Sequence, residues 1–264
     1  MQIQASTVLL TGATGGIGQA IARALRTRGA SLILTGRRAD VLNRLAEQLD
    51  ARALAVDLSV REEVEGLLEE VGDVDILVAN AGLPASGRLD SFTVEEIDRA
   101  LEVNLRAPMV LAHGLLPAMV RRRSGHLLFM SSLAGKAASA PGASVYGASK
   151  FGLRGFAASL RAELRGSGVG VSAVFPGFIR QAGMFADADV ELPPGVGTRS
   201  PQDVAEAVVA AIESNRGEVD VAPLAMRAGV VFASLAPELA ASAARRMGTE
   251  EISRQMEAGQ REKR

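Results

Sequence analysis

The chain has no cysteine and no tryptophan, and only one tyrosine and two histidines in 264 residues. Without thiols there is no disulfide, no thiol nucleophile and no thiolate metal site. His113 and His126 lie thirteen positions apart with no carboxylate at ligand spacing, so no metal site is expected and a zinc-dependent mechanism is excluded. An excess of one charge is also missing. Lys and Arg number 29 against 30 Asp and Glu, and the net charge of −1 offers no electrostatic footprint for nucleic acid. The compact basic run Arg121, Arg122, Arg123 reads as a helix end whose carbonyls favour cations. The opening stretch MQIQASTVLLTG lacks the basic segment and cleavage site of a secretory leader, and the apolar stretch AGVVFASLA at 228–236 is far short of a membrane span. A cytoplasmic protein without a transmembrane segment is expected. The 228–236 stretch could cover a substrate pocket, line a subunit interface or touch a membrane surface.

Lysine is nearly absent too. Lys136, Lys150 and Lys263 are three among the 29 basic residues, and Lys150 stands four positions after the single tyrosine, Tyr146, in SVYGASK. An ammonium is a compact charge that can sit under a phenol or donate to a ribose hydroxyl, which a planar guanidinium does poorly. An i, i+4 pair also suits a solvated helix face, so this one carries weight only with a site around it.

What is abundant is aliphatic: 48% of the chain is apolar and 3% aromatic, a composition suited to a parallel sheet buried on both faces. Short Val/Ile/Leu/Ala runs predict strands at 7–10, 31–35, 52–56, 74–79, 125–131, 170–175 and 218–222. Helix patterns fall at 18–29, 41–49, 94–120 and 201–215. Strand and helix in alternation predict parallel pairing, right-handed crossovers and helices on both faces, in one domain spanning 1–264. Residues 181–200 are the longest stretch without periodicity, as in a functional or mobile loop.

The first predicted strand runs into TGATGGIG, where Gly12, Gly16 and Gly18 let the backbone turn sharply and let a pyrophosphate approach helix amides. No Lys-Ser/Thr follows, so this is not a P-loop. The second strand ends in TGRR, with Arg37 and Arg38 and no carboxylate before Asp40, which favours a 2′-phosphate and hence NADPH over NADH. Asp57 follows the third strand, placed to accept from an adenine amino group or to cap a helix. ANAG at 79–82 closes the fourth strand. Asn104, in VNL, falls inside a predicted helix, where asparagine implies a side-chain role, a kink or a cap. The fifth strand ends in FMSSLAG, with Ser131 and Ser132.

Taken in order, TGATGGIG, ANAG, VNL, SSLAG, YGASK and FPGFI resemble the marks of the short-chain dehydrogenase/reductase family, from about residue 5 to 222. The resemblance implies a Rossmann-type, doubly wound, seven-stranded, mostly parallel sheet with a C-terminal extension at 223–264, a nicotinamide cofactor, and a homodimer or homotetramer. It implies Tyr146 as acid/base, Lys150 as the partner that lowers its pKa, Ser132 as the hydroxyl holding the substrate oxygen, and Asn104 as the relay that positions a water. Cofactor contacts are implied for Gly12, Thr14, Gly15, Gly16, Ile17, Gly18, Arg37, Arg38, Asp57, Leu58, Asn80, Ala81, Gly82, Tyr146, Lys150, Pro176, Gly177 and Ile179. A free phenol titrates near pH 10, and a neighbouring positive charge would draw it toward working pH.

Two departures from the pattern stand out. The family spaces its serine and tyrosine by thirteen; here thirteen before Tyr146 is Leu133, so one extra residue is expected in the loop 135–144, with Ser132 preferred to Ser131. Where a threonine usually follows PGFI, this chain has Gln181.

The reading is an NADP(H)-preferring oxidoreductase that interconverts a ketone or aldehyde and an alcohol. Its pocket is expected from Leu133, 181–200 and 223–240, with Met184 and Phe185 favouring a hydrophobic substrate. The alternative is a catalytically silent dinucleotide-binding sensor or scaffold. A hydrolase would need G-x-S-x-G, which is absent, and epimerases or dehydratases with the same pair tend to be longer.

Overall fold

Alternation at period two sorts the core into two layers. In β1 (Thr7–Leu10), Val8 and Leu10 join one buried cluster and Leu9 the other; in β4 (Ile76–Ala79), Ile76 and Val78 part from Leu77 and Ala79 in the same way. Strands apolar on both faces must be covered on both sides. The computed structural model of the chain describes residues 1–137, 141–186, 197–246 and 249–260. Within these, β2 (Ser31–Gly36), β3 (Arg52–Ala55), β5 (Gly125–Met130), β6 (Val169–Pro176) and β7 (Glu218–Val221) complete a seven-stranded sheet of order β3-β2-β1-β4-β5-β6-β7. Every pairing is parallel, so the sheet expected to be mostly parallel is wholly so. The order reverses between β1 and β4, and at such a switch point the carboxyl ends of the strands open a crevice.

Helices α1 (Gly16–Thr27), α2 (Ala39–Leu49) and α8 (Pro201–Glu213) cover one face; α3 (Arg61–Glu70), α5 (Ala107–Arg122) and α6 (Ser144–Glu163) cover the other. The helix expected at 94–120 is split. It comprises α4 (Val94–Leu101), one π-helical turn (Glu102–Arg106), then α5. The combined rod Val94–Arg122 is long and apolar enough to cross a membrane by length and composition. Its apolar face is used within the fold, where Ala107, Leu111, Ala112, Leu115 and Met119 belong to the core. The basic run ends α5 as its charge predicts, with Arg122 donating to Asp73 and the Val74 carbonyl.

After β6 comes the short α7 (Gly183–Ala186); after β7 the extension forms α9 (Leu224–Leu235), α10 (Pro237–Arg246) and α11 (Thr249–Gln260). The apolar stretch 228–236 falls largely in α9, where Val231, Phe232 and Leu235 are exposed. Much of the expected 181–200 loop and part of 135–144 lie outside the described residues.

His126 on β5 is buried. The Ser172 hydroxyl donates to the Arg216 carbonyl, so the ring donates from Nε2 to Ser172 Oγ at 2.9 Å, while Nδ1 faces the bare Cα of Gly170. Protonating Nδ1 would place a charge in a buried site, and burial first, then the N-terminal charge and Arg161, push this histidine down to about 3. Its unfolded value is near 6.5, so the unfolded chain binds the extra proton first as pH falls. The native state should lose about 3 to 5 kcal/mol at most as pH drops from about 6.5 toward about 3. Thermal melts across this window should show a flatter acid limb for His126→Gln than for the wild type.

Candidate active site

At the carboxyl end of β1 the chain turns on Gly12 at φ +67°, where any Cβ would also lie 2.7 Å from the Ala81 Cα. The turn and the end of β4 are stitched together. Thr11 Oγ1 accepts from the amides of Asn80 (3.1 Å) and Ala81 (3.0 Å), and Asn80 Nδ2 donates to the carbonyls of Thr11 (3.0 Å) and Gly12 (3.2 Å). Asn80 therefore spends its amide on shaping the glycine turn. Helix α1 then starts at Gly16 with Gly15 as an N-cap that supplies no side chain, leaving first-turn amides for an anion. Gly15, Gly16 and Gly82 are exposed along the crevice, Ile17 is half-buried, and Gly18 is buried against the turn.

Beyond the turn, Arg38 donates to the Thr14 carbonyl at 2.6 Å, and Thr14 packs over Gly36 at the end of β2. Arg37 is half-exposed and stands 4.0 Å from Asp57. Asp57 accepts from the Ser59 amide (2.9 Å) and hydroxyl (2.7 Å), a local turn before α3, whose own N-cap is Val60, with Leu58 buried beside it. Burial works to raise the Asp57 pKa; Ser59, Arg37 and Arg99 together outweigh it and hold the carboxyl below its ordinary value.

Deeper in the crevice, Asn104 sits in the π turn, fully buried. Its Oδ1 accepts from the Leu83 amide at 2.7 Å, and its Nδ2 donates to the Leu83 carbonyl (3.0 Å) and the Ser149 hydroxyl (3.4 Å). A π turn widens a helix by one residue and is frequent at functional sites; here it lets this side chain grip the strand extension. Ser149 in turn donates to the Tyr146 carbonyl at 2.7 Å. Lys150 is 3% exposed, donates from Nζ to the Met130 carbonyl at 3.0 Å, and lies 5.7 Å from the centre of the Tyr146 ring.

The two serines divide the work. Ser131 is buried with its hydroxyl on the Lys150 carbonyl at 3.0 Å, whereas Ser132 accepts from the Ala134 amide at 3.2 Å and interacts with the Tyr146 phenol. Leu133–Gly135 is a 3-10 turn that packs on α6 so closely that a Cβ on Gly135 would lie 2.6 Å from the Lys150 carbonyl oxygen. Sequence reasoning did not single out Ser149, the Leu83 peptide or the Met130 carbonyl. The first carried a signal, as a small hydroxyl three residues after Tyr146 on one helix face; the other two are backbone groups, and no residue type announces them.

Among the protein groups alone, burial dominates the titrations. It pushes the Tyr146 phenol above its ordinary value, partly opposed by Ser132, and Lys150 down to about 8. The phenol expected to be drawn down by Lys150 is instead raised, because desolvation penalises phenolate and ammonium alike.

The segment after β6 closes over the site. Pro176 ends the strand, and Gly177 donates to the Val221 carbonyl and leaves room for Met226 and Leu133. Ile179 is buried in a bridge with Arg199 that uses the Arg180 amide and the Phe178 carbonyl, leaving its own peptide groups out of it. Gln181 is exposed at φ 66°. Ala182 packs on Gly16, and the Met184 Cε reaches the point beside Gly82 where Asn104 Oδ1 and Lys150 Nζ converge.

The model of the short chain dehydrogenase family matches residues 6–191. A ketoacyl reductase, HetN, of Nostoc sp. is 39% identical over 224 residues, covering 81% of this chain and 78% of that protein. Among solved structures, a short-chain dehydrogenase from Sphingobium yanoikuyae in complex with NADPH is 29% identical with a TM-score of 0.75, covering 81% of this chain and 87% of that one. A short chain dehydrogenase/reductase from Burkholderia phymatum in complex with NAD shares the fold at a TM-score of 0.80 and 24% identity, over 90% of this chain and 96% of that one. The chain belongs to the short-chain dehydrogenase/reductase family of oxidoreductases, which bind a nicotinamide dinucleotide. The crevice suits one, with its glycine turn braced by Asn80, an uncapped helix start and two arginines at the end of β2.

Tyr146 is the only tyrosine and there is no tryptophan, so the near-ultraviolet difference spectrum reports this one phenol. Its titration midpoint is expected above the free-phenol value of about 10, and Ser132→Ala should raise it further. A midpoint below that of free tyrosine would contradict the dominance of burial.

Proposed function

We propose that the chain is an NADP(H)-preferring oxidoreductase that interconverts a ketone or aldehyde and an alcohol, with Tyr146 as acid/base. The observation that carries this reading is the convergence of Ser132, Tyr146, Lys150 and Asn104 at the switch-point crevice, below a β2 end that offers Arg37 and Arg38 and no carboxylate.

A nicotinamide dinucleotide supplies or accepts the hydride when bound. The chain's own residues bind, orient and move the proton. Ser132 holds the substrate oxygen beside Tyr146. The raised phenol is protonated at neutral pH, the form that donates to a carbonyl oxygen during reduction. Lys150, at about 8, is still mostly charged at neutral pH and favours the phenolate as the proton leaves. Asn104, fixed at both ends by Leu83 and Ser149, supports the water path that returns the proton. Gly12 to Gly18, with Ala81 and Gly82, would hold the diphosphate; Arg37 and Arg38 would take a 2′-phosphate, Asp57 and Leu58 the adenine, and the peptide groups of Ile179 the carboxamide.

Leu133, Met184 and Met226 give the substrate side an apolar wall, which supports a hydrophobic carbonyl; the ketoacyl reductase among the relatives supports an acyl ketone. The exposed apolar residues Met109 and Val120 on α5 and Phe151 on α6 support burial of those helices in a homodimer or homotetramer. The same reading keeps residues 1–264 as one cytoplasmic domain.

Titration with NADPH and NADH, followed by nicotinamide fluorescence, tests the cofactor assignment. NADPH should bind more tightly, and Arg37→Ala should narrow the gap by about 10- to 100-fold, the range of a charge-assisted hydrogen bond. Tyr146→Phe should keep nucleotide binding and lose carbonyl reduction. Binding without turnover of any carbonyl in the wild type would favour the silent sensor instead.

A further inference from the structure

The first of the three lysines in the chain lies four residues after Ser132, and its environment is unlike a solvated face. Lys136 directly follows the Leu133–Gly135 turn, donates its amide to the Leu133 carbonyl at 3.0 Å, and has a side chain only 12% exposed. Its Nζ lies 2.8 Å from Glu218 Oε2, 2.6 Å from Asp220 Oδ1 and 4.1 Å above the centre of the Phe175 ring. Glu218 and Asp220 are two apart on β7 and present one face. The slot between two carboxylates and a ring face fits a compact ammonium, where a planar guanidinium would need room on all sides.

Glu218 has a second cationic partner. Arg154, one helical turn beyond Lys150 on α6, donates to Glu218 from Nε at 2.7 Å. The serine turn and the helix carrying Tyr146 and Lys150 are thus referenced to the same carboxylate, which those two cations hold below its ordinary pKa against the opposing effect of burial. Arg227 of α9 stands 3.8 Å from Asp220 on the outer side. Partly buried ion clusters of this kind contribute little net stability, and their value lies in geometry.

We infer that Lys136 is a positioning residue: it pins the Ser132 turn to β7, so that Ser132 keeps its place against the phenol. On its other side the turn has no freedom, because Gly135 rests on the Lys150 carbonyl. This inference rests on the roles proposed above for Ser132 and Tyr146.

Lys136→Met tests it. Carbonyl turnover should fall about 10- to 100-fold in kcat, as expected for a small displacement of a reacting group, while NADPH affinity stays unchanged. The Tyr146 titration should move upward, in the direction of Ser132→Ala. Asp220→Asn leaves the Arg154–Glu218 pair in place and should shift both readouts the same way by less. Both variants are first shown to be folded by thermal melts. A wild-type Tyr146 titration in both, with any loss confined to Tm or KM, would overturn the inference. If the wild type reduces no carbonyl, the enzyme reading fails, and the titration still decides whether Lys136 holds Ser132 against the phenol.

Discussion

Lys150 carries an ammonium 3% exposed, and the arrangement around it follows from accommodating that group. A buried ammonium needs an acceptor, and the Met130 carbonyl at the end of β5 provides it at 3.0 Å. That bond fixes α6 against the carboxyl end of the sheet. The Ser131 hydroxyl and the bare Cα of Gly135 both close on the Lys150 carbonyl, which places the next hydroxyl, Ser132, beside Tyr146. Burial lowers the lysine to about 8 and raises the phenol above its ordinary value, so the two groups are driven apart and the neutral phenol is favoured beside the amine. Neither residue would keep its place without the carbonyl, the turn and the strand that hold them.

The nucleotide side of the crevice is built by a different device. Thr11 and Asn80 tie the ends of two neighbouring strands together through four hydrogen bonds, and the strain of a left-handed residue at position 12 is relieved by its being glycine. The arginines at the end of β2 meet this turn through Arg38, whose guanidinium holds the Thr14 carbonyl. Rigid backbone at one side and an uncapped helix start at the other make an anion site that needs little rearrangement to bind.

Much of this was legible in the chain. The aliphatic runs announced each strand within a residue or two, most plainly in the five inner strands, which are buried on both faces and have few polar positions, while the edge strands β3 and β7 keep charged ones. TGATGGIG and SSLAG could be placed at strand ends before any coordinates. The π turn could not: VNL sits in an unbroken helical pattern, and the partners of the Asn104 amide within that turn, Leu83 and Ser149, come from elsewhere in the chain. Which of Ser131 and Ser132 faces Tyr146 likewise waited on which hydroxyl the Lys150 carbonyl had already taken.

Composition and motif order by themselves determined a parallel α/β sheet, the family, and the identity of the groups gathered at its switch point, since these depend on local periodicity and on residue chemistry that does not change with context. Only the tertiary structure decided that the lone tyrosine is raised, that the Asp57 carboxyl is engaged by Ser59 in a turn and does not cap a helix, and that Lys136 answers to two carboxylates more than eighty positions away. Burial and long-range partners set those outcomes, and neither is a property of any one stretch of the chain.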